Sequence, residues 1–296
     1  RIVNKTTTNN TAMSSIQHAL QMLLSALPEI KQGQDEAEIK KQRQFIIQAI
    51  RALQVMKRMA SQATPNQRLE FLQQDKYLDL TIQMLLFDVD QSPQEINKAQ
   101  QLALDIISTH LLDQPQTDHL ILIHENFLPA IHKFFIRSIL KKQFKTVHKL
   151  IRMLFDLSHS QYNPKIVTFD SHCIFMLQNT LNLKAEDYKD QEFEALQAIK
   201  YTISTIHKLS AFEELQHSIQ HIYGQFLVKV LEQNLVDDET TILICQSFKI
   251  LFTQENSIFK VEIDLLTHLI NLVQEIDIHQ VQEYVKEFQA LITNNV

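Results

Sequence analysis

The sequence predicts an all-α protein built as a row of paired helices, a right-handed α-α superhelix of about thirteen helices. Three observations predict this fold: the scarcity of glycine, the helical spacing of the apolar residues, and the prolines that fall where that spacing breaks. The 296 residues include 2 glycines and 6 prolines. Because tight β-turns and phosphate-binding loops depend on glycine at positive φ, two glycines cannot supply a β-rich or dinucleotide-binding fold.

Apolar residues recur at intervals of three and four from about residue 12 onward, which is the spacing of an amphipathic helix. Pro28 ends the first apolar stripe, and Thr64-Pro65 ends the second. Asp35 with Glu38 predicts one helix start, and Ser92-Pro93 predicts another. The predicted helical segments are 16–27, 45–59, 69–72, 77–87, 93–111, 120–127, 128–140, 147–157, 174–181, 193–206, 212–231, 240–252, 261–276 and 281–292.

The helix starts are spaced by about 20 residues, so a helix pair recurs about every 40 residues, the period of HEAT and armadillo-type arrays. After a polar segment at residues 1–11, predicted to be frayed or disordered, no linker rich in Pro, Gly or Ser divides the chain. Residues 12–296 are therefore predicted to form a single helical-repeat domain. In such a row each pair buries its apolar stripe against its neighbours and leaves one face open for recognition.

Charge and cysteine content narrow the class of protein. The formal net charge is −6 and the isoelectric point is near 6.1, which argues against nucleic acid as a partner because such binding needs clustered Lys and Arg. Two cysteines without metal-site spacing suit a reducing compartment, so the cytosol or the nucleus is expected. No run of 18 apolar residues appears, so no membrane span is predicted.

Candidate catalytic and metal-binding residues are interpreted as structural. His217 and His221 share a helix face, but Ser218 stands where the zinc-protease motif carries glutamate, so a surface histidine pair is favoured over a metal site. Cys173 and Cys245 lie within apolar stripes and are expected to be core thiols. We therefore predict a protein with no catalytic residue, cofactor or metal, and not an enzyme. Paired carboxylates are expected to cap helices: Glu192 with Glu194, and Asp237 with Asp238.

The densest basic stretch is the candidate site for a partner. Lys145, Lys149 and Arg152 share one helical face, so this strip could dock an acidic peptide or a nucleic-acid backbone. The alternative is a solvated helix turn whose cations are favoured by the helix dipole. The strip consists of Lys141, Lys142, Lys145, Lys149 and Arg152. The nearby aromatic residues are expected to be core and not a stacking platform: Phe127, Phe134, Phe135, Phe144 and Phe155.

The segment from Lys145 to Leu157, KTVHKLIRMLFDL, opens a resemblance to a known family. With the helix 177–183, the acidic turn 186–190, the helix 192–209 and the segment 223–231, it resembles the middle of karyopherin-β transport receptors of the exportin and transportin-3/importin-13 type. The resemblance covers less than a third of the chain. It implies a HEAT superhelix without catalysis, whose partners are cargo, the GTPase Ran and nucleoporin Phe-Gly repeats. No functional residue is carried over.

The expected function is a non-catalytic helical-repeat scaffold that binds protein partners, as part of a nucleocytoplasmic transport receptor. The alternative is a structural scaffold or adaptor subunit of a large assembly, such as a tethering, cytoskeletal or ciliary complex. Ran-dependent binding would indicate the first, and co-purification at fixed stoichiometry without Ran would indicate the second.

Overall fold

The structure is a computed structural model that describes residues 3–30, 36–87, 94–111, 115–159, 163–252 and 260–295. Within these ranges the secondary structure is helices joined by turns, with no strand, which confirms the predicted all-α class. The fifteen α-helices of the described residues are α1 (Val3–Ala26), α2 (Glu36–Gln62), α3 (Pro65–Leu72), α4 (Tyr77–Leu86), α5 (Gln94–His110), α6 (Pro115–Leu122), α7 (Phe127–Leu140), α8 (Phe144–Ser158), α9 (Pro164–Phe169), α10 (Ser171–Leu181), α11 (Glu192–Ser210), α12 (Gln216–Glu232), α13 (Asp238–Phe252), α14 (Lys260–Val273) and α15 (His279–Asn295).

The chain divides into two compact units, Arg1–Phe134 and Phe135–Val296, and the division falls inside α7. In the first unit α1 begins at Val3, well before the start near residue 12 that the apolar spacing indicated. Residues 3–11 contain no proline or glycine, so extending the helix backward opposes only modest intrinsic propensities. The division into a frayed segment and one domain over 12–296 stays a prediction.

In the first unit α2 packs against α1 and α5, and α4 packs against α1 and α5. Two ion pairs show the direction of the α2–α5 contact. Arg43 bonds Glu95 at 2.8 Å, 52 residues away, and Lys57 bonds Asp105, 48 residues away. Because the separation hardly changes along the pair, α2 and α5 run parallel.

In the second unit the helices pack as two rows. One row is α8, α11, α13 and α15, each packed against the next, and the other is α10, α12 and α14. The helices of the first row also run parallel: Lys200 bonds Glu239 at 2.5 Å, 39 residues away, and His207 contacts Ser247 at 3.1 Å, 40 residues away. In the second row Gln178 donates to the carbonyl of Ile222 at 3.1 Å, 44 residues away.

Helix ends follow from local sequence. Thr64 caps α3 through a reciprocal capping box with Gln67, which confirms the break predicted at Thr64-Pro65. Because glycine is scarce, left-handed backbone falls on other residues: Lys76, Lys142 and Asn234 have positive φ. Gly224, the glycine of the described residues, is not among these positions. Gly224 instead lies where α12 approaches α14, and a Cβ there would be 2.9 Å from Leu265.

Some predicted boundaries were incomplete. The short helix α9, which Pro164 opens, was missed, and the described residues hold fifteen α-helices where about thirteen were expected. Six residues carry too little periodicity to be recognised as a helix. Asp35 and Ser92-Pro93 lie outside the described residues. No helix in the described part of the chain is long and apolar enough to cross a membrane.

Candidate partner-binding surface

The basic strip begins at the turn between α7 and α8. Lys142 takes the left-handed conformation, with φ of 52°. Its N–H donates to the carbonyl of Ile139 at 3.0 Å, and the N–H of Gln143 donates to the carbonyl of Ser138 at 2.8 Å. This pair of bonds is the Schellman arrangement that ends a helix and satisfies its last carbonyls. Lys141 and Lys142 therefore lie at the C-terminus of α7, where the helix dipole favours cations.

Gln191, just before α11, fixes this turn against the neighbouring helix. Its Oε1 accepts a hydrogen bond from the N–H of Phe144 at 2.9 Å, and its Nε2 donates to the carbonyl of Lys142 at 2.7 Å. The ring of Tyr188 meets the ring of Phe144 edge-on, with centroids 5.9 Å apart. The N-termini of α8 and α11 are thus held side by side.

The remaining strip residues follow along α8. Lys145 and Arg152 are exposed and Lys149 is half-buried. Spacings of four and three residues place all three on one face, as the sequence predicted. Arg152 lies 4.0 Å from Asp156 one turn further on. The structure therefore brings these three residues together on a helix and leaves Lys141 and Lys142 at the turn before it.

Helix α11 adds aromatic and basic groups beside the strip. The ring of Tyr201 stacks on His148 at 5.4 Å, and the guanidinium of Arg152 lies 5.9 Å from the Tyr201 ring centre. Further along, the Lys208 ammonium lies 4.9 Å from the Phe155 ring centre. These contacts are within the range of cation–π attraction.

Burial sets the protonation of the groups between the two helices. Burial raises the pKa of the Asp156 carboxyl, against the opposite influence of the Arg152 and Lys208 charges. Burial, followed by the Arg152 charge, lowers the pKa of His148, so its imidazole is neutral at pH 7. The positive charge of this surface therefore comes from lysine and arginine and not from histidine.

The sequence alone did not indicate that α11 lies beside the strip. The residues missed for this reason are Phe193, Tyr201 and Lys208. Phe193, Lys200 and Lys208 are seven and eight residues apart, so the helical period places them on one face of α11. That periodicity was readable in the sequence, but the side-by-side placement of α8 and α11 was not, because the two helices are separated by other helices along the chain.

The other candidate residues have structural environments. Cys173 and Cys245 are buried, and burial raises the pKa of Cys245 to about 12, so these are core thiols as predicted. His217 and His221 are exposed on α12. Among the described residues no three His, Cys, Asp or Glu side chains converge as metal ligands would.

The paired carboxylates lie at helix starts and most of the aromatic residues lie in the core, as predicted. Asp237 caps α13, accepting from the N–H of Thr240 at 2.8 Å, and the Thr240 hydroxyl is the main cause that lowers the Asp237 pKa. Glu192 and Glu194 lie in the first turn of α11, where the helix dipole favours them. Four of the five aromatics are buried and only Phe155 reaches the surface: the buried ones are Phe127, Phe134, Phe135 and Phe144.

Fold and surface together define an all-α protein of packed helices with a basic, aromatic surface on α8 and α11. A comparison with known protein families finds no match for the chain, and a comparison with curated proteins finds no relative. The resemblance to transport receptors therefore stays a prediction.

Proposed function

We propose that the chain is a non-catalytic helical-repeat scaffold, an α-α superhelix of the HEAT or armadillo type, that binds protein partners. One observation supports the proposal: helices that are separated by one or two others along the chain run parallel and are joined by side-chain bonds at a recurring separation. The described separations run from 36 residues for His268 with Glu232 to 52 residues for Arg43 with Glu95. This recurrence is typical of stacked helix pairs with a period near 40 residues.

The repeat arrangement supports a binding role because stacked pairs leave a continuous face of each row open. Helices α8, α11, α13 and α15 present such a face, and the strip lies on it. The environments of the nucleophilic candidates support a non-catalytic role, because burial keeps both thiols protonated.

The transport-receptor version of this scaffold rests on the sequence resemblance. It predicts that the immobilised full chain retains Ran loaded with a GTP analogue, releases Ran loaded with GDP, and binds Phe-Gly repeats. Equal retention of the two Ran forms, or retention of neither, would remove this version and leave the structural-adaptor version. The adaptor version predicts a partner that co-purifies at fixed stoichiometry without Ran.

The binding role itself is tested by exchanging the strip charges. A variant with Lys145→Gln, Lys149→Gln and Arg152→Gln is expected to lose a partner that the wild-type chain retains. The matched control, Lys165→Gln with Lys184→Gln and Lys286→Gln, removes the same charge from α9, the α10–α11 connection and α15, and is expected to retain that partner. Loss of the partner from both variants would contradict a local binding surface and indicate a general charge effect.

A further inference from the structure

Two large apolar side chains are exposed at one end of the basic strip. Phe193, in the first turn of α11, is 69% exposed, and Leu140, the last residue of α7, is 78% exposed. Each lies two residues from one side of the Gln191 contact, in which the Gln191 amide donates to the Lys142 carbonyl at 2.7 Å. We call Leu140 and Phe193 the apolar end. Side chains of this size normally gain about 2 kcal/mol by leaving water, so exposed ones grouped together indicate a contact surface.

The basic part of this surface extends from the apolar end along both helices. Lys145 follows Phe144, whose N–H is held by Gln191, and Arg152 lies two turns further along α8. On α11, Lys208 shares the face of Phe193 and reaches across to Phe155. We call Lys145, Lys149, Arg152 and Lys208 the basic track.

The charge of the track is opposite to that of the chain. The protein carries a net charge of −6, whereas the track has four cations beside the half-buried Asp156 and Glu194. Further along the same row, Lys200 and Lys249 are paired with Glu239 and Glu287. The four cations of the track are grouped on α8 and α11, which favours an acidic ligand of limited length.

The length of α8 sets the size of that ligand. Its 15 residues rise about 22 Å at 1.5 Å per residue, which is the span of about seven residues of extended peptide. A nucleic-acid strand that crossed the row sideways from α8 would meet exposed carboxylates at the start of α13, Asp237 to Glu239. A short acidic peptide can bind along the track and the apolar end without reaching α13, although Glu192 and Glu194 flank Phe193 in the first turn of α11.

We propose that the apolar end and the basic track together bind an acidic peptide segment of a protein partner. One large apolar side chain of the peptide packs on Leu140 and Phe193, and its Asp and Glu residues pair with the basic track. This inference rests on the proposed function and names the chemistry of the partner.

The test is a selection of a random 12-residue peptide display library on the immobilised full chain. The selected peptides are expected to be rich in Asp and Glu beside one large apolar residue. Synthetic versions should bind more weakly at high salt. The variant with Lys145→Gln, Lys149→Gln and Arg152→Gln should weaken binding by about tenfold, since several screened surface charges each contribute modestly.

A second variant pair tests the apolar end. The double variant Leu140→Ser, Phe193→Ser is expected to bind the selected peptides with lower affinity than the wild type does. A peptide whose apolar residue is replaced by serine should bind the wild type and this variant equally. Phe169→Ser, at an apolar side chain of α9 that is 53% exposed, is the matched control and should leave affinity unchanged. Circular dichroism that matches the wild-type spectrum shows that each variant is folded.

Three results would overturn the inference. The first is that the selected peptides are neutral or basic, and the second is that the Lys165→Gln, Lys184→Gln, Lys286→Gln control loses as much peptide affinity as the strip variant. The third is that single-stranded RNA binds the track more tightly than the selected peptides do. Acidic peptides that bind independently of the track would refute this surface while leaving the scaffold proposal in place. The scaffold proposal is tested separately: it fails if destabilising one end of the second unit lowers amide protection equally in all of its helices.

Discussion

The hydroxyl of Tyr77 lies 3.0 Å from Nε2 of His110, and both side chains are buried between α4 and α5. The two rings meet edge-on, with centroids 5.5 Å apart. Burial, with the Arg68 charge as a second cause, lowers the pKa of His110 to about 3. Nδ1 of the same ring is buried without a hydrogen-bond partner. The core of the first unit therefore requires a neutral imidazole.

This histidine makes the stability of the protein depend on pH. An unfolded histidine has a pKa of about 6.5, so between that pH and about 3 the unfolded chain binds more protons than the folded chain. The stability contribution of the neutral imidazole is complete above pH 6.5 and is lost as the pH falls toward the folded pKa. The expected loss is about 1.4 kcal/mol per pH unit in the free energy of unfolding.

Urea unfolding at pH 6.5 and 4.5 checks this, with wild type compared to His110→Gln. From pH 6.5 to pH 4.5, we expect the free energy of unfolding to fall by about 2 to 3 kcal/mol more in the wild type than in the variant. The other titrating groups are common to both proteins, so the difference isolates His110. Identical losses in the two proteins would contradict the buried neutral state.

Removing the Tyr77 hydroxyl tests the hydrogen bond itself. Tyr77→Phe leaves Nε2 of His110 without its partner and is expected to reduce the free energy of unfolding by about 1 to 3 kcal/mol. Tyr284→Phe is the control, because its hydroxyl accepts only an exposed bond from Gln280, and should stay within about 0.5 kcal/mol of wild type. Equal effects of the two substitutions in urea unfolding would refute the proposed importance of the buried bond.

Lys142 offers a stabilising substitution. A left-handed residue with a Cβ is strained by about 1 kcal/mol relative to glycine, so Lys142→Gly should raise the free energy of unfolding by about that amount. Lys145→Gly, within α8, should lower it by about 1 kcal/mol, because glycine is a poor helix former. Thermal and urea unfolding of both variants provide the measurement, and a destabilised Lys142→Gly would show that the side chain contributes more than the strain.

The Gln191 contact should stabilise the second unit. Gln191→Ala removes two hydrogen bonds that join α11 to the α7–α8 turn, so we expect a loss of about 1 to 2 kcal/mol in urea unfolding. Gln197→Ala, further along the same helix, should change stability by less than about 0.5 kcal/mol. A Gln191→Ala variant as stable as Gln197→Ala would mean that the apolar end is not positioned by this contact.

The sequence predicted what local chemistry decides. Thr64 and Pro65 mark a helix boundary by themselves, and Lys145, Lys149 and Arg152 share a face because of the helical period alone. The buried thiols were also predictable, since Cys173 and Cys245 lie within apolar stripes. These features need no knowledge of which helices become neighbours.

What the sequence did not reveal depends on distant pairing. Gln191 meets the N–H of Phe144 across 47 residues, and nothing in either segment indicates the other. Phe193 therefore looked like an ordinary apolar residue of α11 and not like a neighbour of the strip. Helix α9 was missed for another reason, because six residues are too few to show a period.

In the proposed scaffold, the helices of the second unit form a row in which each pair is stabilised by its neighbours. Phe288, fully buried in α15, is the probe. Phe288→Ala should remove about 3 to 5 kcal/mol of local stability. If the helices form a row, mainly α13, α14 and α15 should be destabilised, because each pair contacts only its neighbours.

Native-state hydrogen exchange of the full chain, wild type against Phe288→Ala, measures this most directly. We predict that amide protection falls in α15 and in its neighbours α13 and α14, while α8 and α11 keep the protection of the wild type. If α8 and α11 lose as much protection as α15, the second unit unfolds as one closed globule and the row of paired helices is wrong.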